Sequence, residues 1–133
     1  MSQIPTLPSD DIRQVMWRFA DRYDLQMSVQ SARQVARTTV ARLVAEGERN
    51  HHEWTDKKNE LLEAYDASGL TNLYMEPEHG GFIQGPKNMA MALVAFEISW
   101  VDAGAATCGL ASNLALAPIH ERGTDEQRDH YMG

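Results

Sequence analysis

The chain has 133 residues and a mass of 14.9 kDa, one domain's worth of polypeptide, and its 43% hydrophobic content suffices to bury a core. Twelve Lys and Arg against nineteen Asp and Glu give a formal net charge of -7 and a pI near 5.1. Such a surface repels phosphate backbones, so nucleic acid is excluded as the expected partner. The one cysteine, Cys108, has no internal disulfide partner and sits in an apolar stretch, which fits a reducing compartment. The opening Met1 to Asp11 has no basic start followed by an apolar run, so neither a secretory signal nor an acid-poor transit peptide is expected. The uncharged run Ala103 to Ile119 contains Thr107, Ser112, Asn113 and Pro118 and is short for a bilayer. No membrane span is expected, and the protein reads as soluble and cytoplasmic.

In chain order, Ile12, Val15, Met16, Phe19 and Tyr23 fall on one helical stripe, with Ser9 as N-cap and Asp10 and Asp11 at the positive end of the helix dipole. A second stripe runs through Ala32, Val35, Ala36, Thr39, Val40 and Leu43 and ends near Gly47. Polar Glu48 to Glu53 forms a hinge or loop, after which Thr55 caps a third helix burying Leu61, Leu62 and Tyr65. Gly69 ends that helix where a left-handed residue is wanted. Residues 70 to 86 are irregular, with Pro77, Gly80, Gly81, Gly85 and Pro86. Pro86 suits the first turn of a fourth helix carrying Met89, Leu93, Val94, Phe96, Trp100 and Val101. A fifth helix covers about 103 to 121, and Thr124 with Gln127 is a capping-box pattern that opens a last helix into Tyr131. These elements make an all-α bundle of five to six helices, a single domain over 1–133.

The fifth helix is the most informative. Ten of the thirteen residues from Ala103 to Ala115 are Ala, Gly, Ser, Thr or Cys. Interior glycines such as Gly104 and Gly109 cost about 1 kcal/mol each relative to alanine, so close approach of another body has to offset them. That body is either a neighbouring helix or a ligand chain walled by Ala106, Thr107, Leu110, Ala111 and Leu114, which share one broad face; the residues leave both readings open.

Three other groupings read as structural. Glu76 and His79 stand at the Glu-x-x-His spacing of carboxylate-bridged metal bundles, yet Pro77, Gly80 and Gly81 forbid the helix such a site needs, so a sharp turn and no metal are expected. His51, His52 and Glu53 lie in a charged stretch and read as a solvated loop. Glu97 is an acid on an apolar helix. It is either a buried general base or one half of a pairing with a neighbouring element, and the second is expected.

Together, three segments resemble the acyl-CoA dehydrogenase family in order and spacing. Gly69-Leu70 followed by Pro77-Glu78-His79-Gly80-Gly81 is similar to the family's "Gly-Leu … Pro-Glu-Glu-Tyr-Gly-Gly" turn. Phe96-Glu97-Ile98-Ser99-Trp100-Val101-Asp102 resembles its "Glu-Glu-Leu-Ser-x-x-Asp" helix end. Gly123-Thr124-Asp125-Glu126-Gln127 through Tyr131-Met132 resembles "Gly-Thr-Glu-Glu-Gln-Lys-x-x-Tyr-Leu". His79 replaces the usual aromatic and Phe96 the first of two acids. The likeness covers residues 54–133; residues 1–53 match loosely.

The resemblance implies the N-terminal helical domain of an FAD-dependent acyl-CoA dehydrogenase, which desaturates an acyl-CoA thioester between its α and β carbons and passes electrons to an electron-transfer flavoprotein or other acceptor. The family's flavin-contacting β-domain and C-terminal helical domain, expected after Gly133, are absent from the chain. The catalytic carboxylate comes from that C-terminal domain, so no catalytic residue is assigned here and FAD is held mainly by regions outside the chain. The resemblance also puts Ala106, Thr107, Leu110, Ala111 and Leu114 on the acyl-pocket wall and implies a homo-oligomer for the complete protein. The alternative is a stand-alone helical interaction module, or one chain of a split flavoenzyme.

Overall fold

The structure, a computed structural model, describes Pro8, Asp10 and residues 16–132. Its α-helices are α1 (Tyr23–Val35), α2 (Ala41–Ala45), α3 (Asp56–Ala67), α4 (Lys87–Ser99), α5 (Ala103–Arg122) and α6 (Asp125–Met132). Among the described residues there is no strand, and no helix is long and apolar enough to cross a membrane. The architecture is all-α.

α1 and α2 form one continuous rod, because the π-helical turn Ala36–Val40 between them keeps right-handed helical dihedrals at both junctions. The expected stripe is the rod's inner face: Ala32, Val35, Ala36, Val40 and Leu43 are buried and Thr39 is half-buried. Gly47, at φ 85°, turns the chain out of it.

The helix expected to run from Ile12 through Tyr23 is not continuous. Met16–Phe19 is a short 3-10 turn, the chain bends at Ala20 and Asp21, and Tyr23 opens α1 with its ring exposed. Gln26 closes the bend by donating its side-chain amide to the carbonyls of Phe19 and Ala20. Asp24 then anchors the start of α1. It accepts from Arg22 at 3.0 and 2.8 Å and from the Gln84 backbone N–H at 2.8 Å, and these bonds pull its carboxyl down to about pKa 2. Ser9, Asp11, Ile12 and Val15 lie outside the described residues.

α3 buries Leu61 and Tyr65, with Leu62 half-buried, and stops at Gly69 with φ 72°. Thr55 stands at its N-cap position, but the hydroxyl donates to Glu48 Oε2 at 2.7 Å instead of accepting from the helix. That bond holds Glu48 inside the turn Glu48–Asn50, while His51 and His52 are exposed, as expected of a loop.

α4 packs between the α1 rod and α5. Its inner face is Ala90, Leu93, Val94, Glu97 and Ile98. Of the other apolar residues named on this helix, Met89, Phe96 and Trp100 are exposed by 43%, 46% and 57%. The helix is apolar nearly all round, and packing against α1 and α5 chooses the side that carries Glu97. Pro86 occupies the N-cap position, one residue before the first turn.

The Glu97 carboxylate, 1% exposed, meets Arg33 Nε at 3.0 Å and Arg37 Nη2 at 4.0 Å, both reaching across from the α1 rod. Arg37 is also bidentate with Asp10 at 2.7 Å. An acid buried beside two guanidiniums is a structural pairing, so the pairing expected of Glu97 is what the fold contains.

Candidate functional site

α5 starts from a side-chain cap: Asp102 Oδ1 accepts the Ala105 N–H at 2.8 Å. It ends in a reciprocal one for α6, where the Thr124 N–H donates to Gln127 Oε1 at 2.9 Å and the Gln127 N–H to Thr124 Oγ1 at 3.2 Å. This is the expected capping box. Side-chain caps thus fix the start of α5 and the start of α6.

The small residues of α5 divide between two faces. On the inner face Ala106, Gly109, Leu110 and Asn113 are buried. The Tyr65 ring lies directly over Gly109, so that any Cβ there would overlap its ring carbons. The Tyr65 hydroxyl donates to the Ala105 carbonyl at 2.9 Å, and burial pushes its phenol well above the usual range. Close helix packing thus accounts for Gly109. It does not account for Thr107, Ala111 and Leu114, at i, i+4 and i+7, which are exposed and form a stripe of modest side chains along the open side, with Leu114 67% exposed.

The five residues expected to wall a ligand therefore straddle the border of the core. Ala106 and Leu110 are 4% and 7% exposed and belong to it; Thr107, Ala111 and Leu114 face outward.

The turn at residues 76–81 is a structural device. Pro77–His79 is one 3-10 turn, Gly80 takes φ 85°, and a Cβ on Gly81 would overlap the Met75 carbonyl. Glu76 faces His120 Nδ1 at 3.3 Å and Lys87 Nζ at 3.7 Å, whereas His79 Nε2 faces Asp129 Oδ1 at 3.5 Å. Glu76 and His79 thus bind different neighbours. Among the described residues no three His, Cys, Asp or Glu side chains gather as metal ligands.

Two cavities stand out among the described residues. One, of about 420 Å³, is lined by Glu76, Glu78, Asp125 and Asp129 together with His79, His120 and Arg128. Four carboxylates there oppose a diphosphate. The other, of about 300 Å³, has a floor of small and aliphatic side chains between the α1–α2 rod, α3 and the start of α5. Sequence reasoning missed it, because its walls come from segments far apart in the chain and no one of them has a motif. Gly104 and Ala105 bring the first turn of α5 to the smaller cavity, but the Asp102 carboxylate already caps that helix end and would repel a flavin dinucleotide's phosphates, so the described residues do not fit FAD by themselves.

The matching family model is that of the acyl-CoA dehydrogenase N-terminal domain, over residues 23–133. It takes in α1 to α6, including the stretch 23–53 where motif likeness is loose. No curated protein and no solved structure matches the chain. With an all-α fold, side-chain caps at the starts of α5 and α6 and a family match over most of its length, the chain belongs to the acyl-CoA dehydrogenase family as an N-terminal domain.

Proposed function

We propose that this chain is the N-terminal helical domain of an FAD-dependent enzyme that desaturates acyl-CoA thioesters between the α and β carbons, and that α5 forms one wall of the acyl pocket. The observation that carries the reading is the exposed Thr107, Ala111 and Leu114 stripe on a helix whose opposite side is pinned by Tyr65. Small side chains outward leave room for a hydrocarbon, and a fixed backbone keeps that room constant. Ala106 and Leu110 form the inner margin of the wall, where it meets the core.

In the reaction an α proton goes to a carboxylate and the β hydrogen leaves with its electron pair. Both acceptors, the base and FAD, belong to parts of the protein outside this chain, and an electron-transfer flavoprotein or another acceptor reoxidises the cofactor. This chain's contribution is to position the acyl tail and keep water from the acidified α carbon. Glu97 is not the base, because Arg33 and Arg37 hold it inside the core. The complete protein is taken as a cytoplasmic homo-oligomer.

A second reading draws on exposed Met89, Phe96 and Trp100 along α4. That face suits a covering polypeptide, as in a flavoenzyme split over two chains. The test is to incubate the complete protein, and this chain with any co-purifying flavoprotein, with saturated acyl-CoAs of graded length and an electron acceptor. Mass spectrometry is expected to find a product lighter by two hydrogens. No desaturation at any chain length contradicts the proposal.

A further inference from the structure

The 300 Å³ cavity lies on a different face of α5 from the proposed acyl wall. Its floor is Val40, Leu43 and Val44 of the rod, Leu61 of α3, and Ala105 and Cys108 of α5. At about 100° per residue, the Gly104, Ala105 and Cys108 face is centred about a quarter turn from the Thr107, Ala111 and Leu114 stripe. The floor is apolar. The mouth holds Arg49, His51, Trp54 and Lys58, with the acids Glu48 and Asp102 beside them.

The two acids are already engaged. Asp102 caps α5 through Oδ1 and faces Arg49 Nε at 3.6 Å through Oδ2. Glu48 accepts the Thr55 hydroxyl at 2.7 Å and faces Lys57 at 3.8 Å. The cations are less completely satisfied. Lys58 Nζ donates to the backbone carbonyls of His51 at 2.7 Å and Glu53 at 2.5 Å. Among the described residues it pairs with no carboxylate, and one of its three N–H groups is left over. Arg49 faces Asp102 with Nε at 3.6 Å, and its side chain is 57% exposed, so much of the guanidinium is open to solvent. Trp54, also 57% exposed, adds an aromatic surface at the rim.

An apolar floor of this size under an ammonium with an unused donor and a largely exposed guanidinium selects one ligand chemistry: a hydrocarbon body ending in a single anionic group. We propose that this cavity binds a small amphipathic carboxylate, its body on the aliphatic floor and its carboxylate at Lys58 and Arg49. The site is separate from the acyl wall and takes the free acid, not the thioester.

Octanoate and 1-octanol, which share a tail and differ in charge, are the probes. Two readouts belong to the cavity: emission of Trp54 in a Trp17→Phe/Trp100→Phe background, both replaced rings being exposed, and the alkylation rate of Cys108 by iodoacetamide. Octanoate is expected to change the emission saturably and to slow alkylation, with octanol about tenfold weaker. Lys58→Met is expected to weaken octanoate about tenfold and Lys58→Arg to restore it. Because Lys58 also ties down two loop carbonyls, Ala105→Leu serves as a second variant that shrinks the floor, and it too is expected to abolish both signals. Octanol binding as tightly as octanoate, or octanoate unaffected by both Lys58→Met and Ala105→Leu, overturns the proposal. Loss of both signals on Ala111→Leu but not on Lys58→Met also overturns it, by moving the ligand to the acyl wall; the acyl-wall reading would stand.

Discussion

The Tyr65 ring lies across the backbone of Gly109, and its hydroxyl reaches the carbonyl of Ala105 one helical turn earlier at 2.9 Å. A side chain on α3 thereby fixes both the depth and the axial position of α5. Gly109→Ala gains about 1 kcal/mol of helix propensity but overpacks a rigid aromatic ring, at a typical cost of about 1–3 kcal/mol. Net destabilisation is expected in urea or thermal melts. In the double variant Tyr65→Leu/Gly109→Ala the combined cost falls below the sum of the singles, because the clash is gone. Strict additivity would show that the two residues do not meet.

Glu97→Ala leaves Arg33 and Arg37 buried without their shared acid. Removing one partner of a buried ion pair costs on the order of 3–5 kcal/mol, so a large drop in melting temperature is expected. Activity per folded molecule of the complete protein is expected to be unchanged, because Glu97 is buried in ion pairs with Arg33 and Arg37. Loss of turnover without loss of stability would return Glu97 to the chemistry.

Asp24 gives a pH signature. Its carboxyl lies at about 2 in the folded protein against 3.8 for the free group, so the folded state binds a proton less readily than the unfolded chain. The stabilisation is present in full above pH 3.8, falls away as the pH drops toward 2, and amounts to about 2 kcal/mol at most. Asp24→Asn is expected to melt lower than the parent at pH 6, with the gap closing toward pH 2. A gap that stays constant with pH would show that the charge on Asp24 contributes nothing.

The sequence foretold those features whose cause is local. Thr124 and Gln127 sit three residues apart and cap each other; Gly69 stands where the chain needs a positive φ; Ala32 to Leu43 repeat at helical spacing and are buried. What it left hidden depends on partners distant in the chain. The stripe from Ile12 to Tyr23 reads as one helix, yet Gln26 and the Arg22–Asp24 clamp favour a bend before Tyr23. Which of Met89, Leu93, Val94, Phe96 and Trp100 are buried is not legible, because α4 is apolar on nearly every side and periodicity cannot choose a face when no face is polar. The same limit applies on α5. Residue size singled out Ala106, Thr107, Leu110, Ala111 and Leu114 together, whereas the position of Tyr65 decides which small residues pack and which look outward.

The chain 1–133 by itself is expected to hold no flavin tightly, since its larger cavity is walled by four carboxylates and its smaller one has an aliphatic floor. After FAD is added and excess removed by gel filtration, the visible spectrum is expected to be empty. A yellow chromophore retained near one per chain would contradict this and assign flavin contacts to these helices.

The most direct test of the acyl-wall reading is Ala111→Leu in the complete protein, measured as melting temperature against acyl-CoA chain-length profile. Ala111 is exposed on the open side of α5, away from Tyr65, so three added carbons meet no neighbour in the helical bundle. A melting temperature close to the parent's is expected, together with a kcat/KM that falls steeply for long or branched acyl-CoAs and little for short ones. A melting temperature lowered as by overpacking, about 1–3 kcal/mol, with an unaltered chain-length profile, would contradict the account and return the whole of α5 to packing.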